Sequence, residues 1–67
     1  MSTTIYSPEL EAAKVWRRIP AARKRAALAK ERADRTGTTE DHERATELMA
    51  GVRRLEAEYR DLKAVAA

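Results

Sequence analysis

The sequence predicts an all-α protein folded as an antiparallel helical hairpin, and three observations predict it. Apolar residues recur in a heptad rhythm along both halves of the chain. Strong helix start and stop signals fall at only two places, and no alternating run of β-branched residues occurs anywhere. At 67 residues the chain is one small domain at most, near the size where a single core barely suffices. Residues 1–7 read as a flexible N-terminal tail and 8–67 as the hairpin domain.

The first helix is expected from about residue 8 to 35. Ser7 serves as N-cap, Pro8 fits the first helical position, and Glu9 follows in the first turn. Ala12, Val15, Ile19, Ala22, Ala26, Ala29 and Ala33 trace a continuous apolar seam. The seam keeps its register through Pro20, which falls on the outer face, so the pattern favours one long helix bent at proline. A break after Ile19 is the alternative, and it would leave Ile19 as a poor N-cap.

Thr36-Gly37-Thr38-Thr39-Glu40-Asp41 marks the turn, expected at about 36–39. Gly37 suits the left-handed position that ends a helix. Thr38 or Thr39 can cap the next one, whose first turn is acidic. The second helix, from about 39 to 66, carries the seam Ala45, Leu48, Val52, Leu55, Tyr59, Leu62 and Ala66. Each arm is roughly 42 Å long at 1.5 Å per residue. Folding about Gly37 places residue i beside residue 75 minus i, so Ile19 meets Leu55, Ala22 meets Val52, and Ala26 meets Leu48 and Met49. Alanine facing leucine permits close helix approach.

Fourteen of the 67 residues are alanine and none is phenylalanine or cysteine, so the core is thin and has no disulfide or thiolate staple. The missing burial is expected from dimerisation into a four-helix bundle or from docking on a partner. Gly51, in mid-helix beside Ala50, is a small-residue spot that permits a close crossing by another helix.

Charge is uneven. Residues 14–35 hold nine basic and two acidic side chains, net +7, against −2 for residues 1–13 and −2 for residues 36–67. Lys14, Arg17, Arg18, Lys24, Arg25, Arg32 and Arg35 fall within one third of the helix circumference, away from the seam. This stripe has the pattern of a surface for nucleic-acid phosphates or an acidic partner. Its plainer reading is a solvated face, or one that pairs with Glu40, Glu43, Glu47, Glu58 and Asp61 of a neighbouring copy. No aromatic residue interleaves with the stripe, so a base-stacking platform is missing. Ten arginines against four lysines also point to a compositional bias, which weakens the reading of each arginine.

The protein-interface candidates are Tyr6, Trp16, Ile19, Met49 and Tyr59. Trp16 stands one position beyond the seam at the open end, where an exposed tryptophan is a strong anchor. Leu28, alone among cations, needs no explanation. A helix-turn-helix with Gly37 at its turn is disfavoured, because Glu43 and Thr46 fall where packing residues are required. His42 reads as an exposed polar residue of the second helix.

Glycine-rich phosphate loops, paired Cys or His sets and nucleophile elbows are absent. The expectation is therefore a chain without catalytic residues, metal, cofactor or small-molecule substrate. No apolar run of 18 residues exists and the N-terminus lacks a secretory pattern, so a cytoplasmic location is expected. The leading functional expectation is a protein-interaction module: an adaptor, regulator, inhibitor or minor subunit, of the size of phage or bacterial accessory proteins. It binds itself or another protein. The alternative is a nucleic-acid-binding hairpin that uses the basic stripe.

Overall fold

The computed structural model describes residues 7–66, and over that span the chain is two helices and no strand. Helix α1 runs Pro8–Thr36 and α2 runs Thr39–Ala66, so only Gly37 and Thr38 separate them. The expected tail, with Ile5 and Tyr6, falls on residues 1–6, outside the described span but for Ser7.

Each helix end follows from local chemistry. The Ser7 hydroxyl accepts from the Leu10 amide at 3.4 Å and the Ser7 carbonyl from the Glu11 amide at 3.0 Å. Gly37 closes α1 at φ 66°, and its amide donates to the Ala33 carbonyl at 2.8 Å. That conformation is strained for any residue with a Cβ, which is why glycine stands there. Thr38 is the cap of α2: its hydroxyl accepts from the Asp41 amide at 3.3 Å and its carbonyl from the His42 amide at 3.1 Å.

Pro20 does not break α1, which continues through it. Proline supplies no amide for the Trp16 carbonyl one turn earlier. Its ring lies on the exposed side, where water can satisfy that carbonyl. The single-helix reading therefore holds over a break after Ile19.

The two arms pack side by side in the expected register. Trp16 meets Tyr59, two numbers that sum to 75, and the cross-helix pairs Arg23–Glu56 and Arg32–Asp41 lie within four of that sum. The fully closed core is Ala12, Val15, Ile19, Ala26, Ala33 and Ala45, four of them alanine. Ala22 and Ala29 are half-buried, as are Leu48, Val52, Leu55, Tyr59, Leu62 and Ala66 across α2. Two cylinders in contact along a line shield only the strip between them. Alanine on α1 sits inside that strip, whereas the longer side chains of α2 reach past it on either side.

Ile19 and Leu55 should therefore respond differently to truncation. Ile19 is 2% exposed, so Ile19→Ala should cost about 2–5 kcal/mol. Leu55 is half-open, so Leu55→Ala should cost only about 1–2 kcal/mol in the dilute single chain. Urea denaturation at low protein concentration measures both. Equal losses would show that Leu55 is closed in solution.

Candidate interaction surfaces

Viewed across the hairpin, the seam has two open flanks. On one, Ala26, Ala27, Met49 and Val52 floor a shallow groove edged by Arg23, Lys30, Arg53 and Glu56. Toward the open end the same flank carries Ala12, Ala13, Trp16 and Tyr59, edged by Glu9 and Lys63. The Trp16 and Tyr59 rings lie 5.0 Å apart and tilted by 38°, within the range of favourable aromatic pairs. Trp16 keeps 54% of its surface exposed despite that contact. This corner therefore offers an indole face beside an apolar surface.

On the other flank, Ala22, Leu48, Gly51 and Leu55 floor a wider groove of about 570 Å³. Its α1 edge is basic (Arg18, Arg25), and Glu47, Arg54 and Glu58 stand on the α2 edge. Nearer the turn this flank continues into Ala29, Arg32, Glu40, Asp41 and Arg44.

Among the interface candidates, then, Trp16, Met49 and Tyr59 come together on one flank with surface still open. Ile19 is 2% exposed and closed between the helices of the single chain. Its β-branched chain sits at the centre of the seam, where the neighbouring alanines draw α2 close. Tyr6 lies outside the described residues.

The basic candidates all sit on exposed positions of α1. Lys14 pairs along its own helix with Glu11 at 3.2 Å, and Arg32 reaches across to Asp41 at 3.6 Å. Arg17, Arg18, Lys24, Arg25 and Arg35 make no ion pair among the described residues. Leu28, 55% exposed, interrupts the stripe without breaking it.

The sequence reading missed Arg23, which bridges to Glu56 at 2.5 Å on the flank opposite the stripe. Its signal was available: opposite charges whose numbers nearly satisfy the fold-back register. As an exposed pair it fixes that register more than it adds stability, at about 0–1 kcal/mol. Leu10 and Val65, 65% and 69% exposed, were also missed. They stand off the seam, where periodicity assigns no role.

The turn holds a small polar network. The Thr36 hydroxyl donates to Asp41 Oδ2 at 2.5 Å and accepts from the Thr38 amide at 3.4 Å. The Thr36 hydroxyl foremost, then that of Thr38, and the Arg32 guanidinium hold the Asp41 carboxyl below its ordinary range, with partial desolvation opposing them. Among the described residues no group of three His, Cys, Asp or Glu side chains is placed to hold a metal ion. No helix there is long and apolar enough to cross a membrane. No protein-family model, curated protein or solved structure matches the chain.

Because the folded Asp41 is more acidic than the unfolded one, its contribution is complete above the ordinary value of 3.8 and lost as pH falls through the folded value. Asp41→Asn should lower the melting temperature at neutral pH, and the gap to the parent chain should close as pH drops below 3.8. A gap that is constant down to about pH 2 would assign the loss to the hydrogen-bond geometry of the turn instead of the charge.

Proposed function

We propose that this chain is a non-catalytic helical interaction module, an adaptor, regulator, inhibitor or minor subunit that binds protein through the open flanks of its seam. One observation carries the reading. The larger apolar side chains of α2 are only half-buried, and the single tryptophan is 54% exposed against Tyr59. A hairpin of this size has little stability to spare, and leaving leucine half-wet forgoes about 1 kcal/mol per side chain. Such flanks gain most when another helix covers them. An aromatic anchor beside an apolar groove is the residue pattern of interface hot spots.

A second reading has its own support. Five cations of the stripe lack an acidic partner among the described residues, over roughly 30 Å of helix. That is enough to follow a line of phosphates.

A photoreactive amino acid placed at position 16 or at position 28 separates the two, because Trp16 lies on the seam flank and Leu28 within the stripe. The interaction reading predicts protein adducts from position 16 and no nucleic-acid adduct from position 28. Binding of the nuclease-treated protein to mixed duplex DNA and structured RNA provides the complementary readout. A log–log salt slope of several units, lost when Arg18, Arg25 and Arg32 become glutamine, with nucleic-acid adducts at position 28, would replace the leading reading with the second.

A further inference from the structure

The wider groove is unusual in three respects that meet at one place. Its floor holds Leu48 and Leu55 of α2, both half-buried, opposite the half-buried Ala22 of α1, and the half-buried Leu62 continues the same seven-residue repeat along α2. Small residues on one helix and leucines on the other leave a trough along the molecule, and every leucine shows one side to water.

The second feature is Gly51, in the floor of that trough. Its backbone is ordinary helix, and a Cβ added there would meet only the Arg54 guanidinium, at 3.9 Å. Within the hairpin, therefore, nothing requires glycine, although it costs about 1 kcal/mol in a helix interior relative to alanine. Gly51 thus leaves room for a group to approach from outside the chain.

The third is charge. The α1 side of this flank is lined by Arg18, Arg25 and Arg32, and the α2 side by Glu40, Asp41, Glu47 and Glu58 with Arg44 and Arg54 among them. The flank sets a basic α1 edge against a mixed α2 edge in which acids outnumber cations, with the leucine trough between them.

We propose that the occupant of this trough is a second copy of the chain, packed face to face about a two-fold axis parallel to the helices. The proposal rests on the interaction-module reading above and names its partner. Only two simple two-fold arrangements bring this flank against itself. An axis perpendicular to the helices lays α1 on α1 and basic band on basic band. The axis parallel to them lays α1 of one copy on α2 of the other, antiparallel, with both turns at the same end.

In that arrangement residue i of one copy stands level with residue 75 minus i of its partner. Lys14 meets Asp61, Arg18 meets Glu58 and Arg25 lies beside Glu47, while Arg32, already paired with Asp41 in its own chain, lies level with Glu43 and Arg44. Arg54 falls level with Ala21 and Ala22, where the opposing helix bears no cation. Leu48, Leu55 and Leu62 of both copies then fill a shared core, with Gly51 and Ala22 admitting the close approach. A face about 43 Å long and about 20 Å wide gives roughly 850 Å² per copy, the size of a standard stable interface. Trp16 and Tyr59, on the opposite flank, remain free for another protein.

Sedimentation velocity over about 1 µM to about 1 mM, with circular dichroism as a check on folding, tests this. Two charge-reversed variants are compared, Arg18→Glu with Arg25→Glu, and Glu47→Arg with Glu58→Arg. Each sets like charge on like charge across the dimer, so each alone should dimerise at least about 100-fold more weakly than the parent chain. Mixed in equal amounts they should recover a dimer, since both α1–α2 contacts become complementary again. Gly51→Leu should remain helical, yet lose the dimer.

A parent chain that is folded and monomeric throughout overturns the second copy as occupant and leaves the interaction reading with another partner. A parent dimer that both charge-reversed variants and Gly51→Leu reproduce overturns this face and axis. A monomer that binds mixed duplex DNA, with binding lost in Arg18→Glu with Arg25→Glu, overturns this proposal and the interaction reading together.

Discussion

The structure depends on one contact: an alanine seam on α1 laid against a seam of larger residues on α2. Alanine carries almost no side-chain bulk, so the helix backbones can approach closely and Val15 and Ile19 close fully between them. The same economy limits the core. Four of the six closed residues among those described are alanines, which bury little apolar surface each. Every large seam residue of α2 is left with one flank exposed. The close approach and the open flanks have the same cause.

The remaining features fix how that contact is made. The cap at Ser7, the left-handed Gly37 and the cap at Thr38 set the helix ends, and the two-residue connection forces the arms to run antiparallel. The network joining Thr36, Thr38, Asp41 and Arg32 ties the last turn of α1 to the first of α2. Arg23–Glu56 and Trp16–Tyr59 hold the register farther along. None of these contacts is strong alone, but together they leave a single alignment. That alignment places the basic edge of α1 and the mixed edge of α2, with Glu47 and Glu58, on the same flank of the molecule.

Much of the fold was legible because its determinants are local or periodic. Caps and breakers are read from adjacent residues, and a heptad seam survives any uncertainty about neighbours. Pro20 shows this well, since its place on the outer face told in advance that the helix would continue. Ile19 shows the limit. Periodicity marks a residue as apolar and inward, but whether one partner helix suffices to close it depends on the size of what lies opposite. Ile19 faces a tight strip and disappears, while Leu55 on the same seam stays half-open. Arg23 was passed over because its partner is thirty-three residues away, and only the paired register brings the two together. The function was hardly legible at all, because interaction surfaces are made of the same residues as solvated helix faces.

The central claim is that one hairpin closes only half of its own seam and gains the rest from another helical layer. Thermal unfolding of the purified chain at concentrations from about 1 µM to about 500 µM tests this most directly, since any partner that binds only the folded form raises the midpoint by mass action. The account predicts a low midpoint in dilute solution that climbs steadily with concentration. A high midpoint that does not move over that range would contradict it, and would mean that the half-buried leucines are all the core this fold requires.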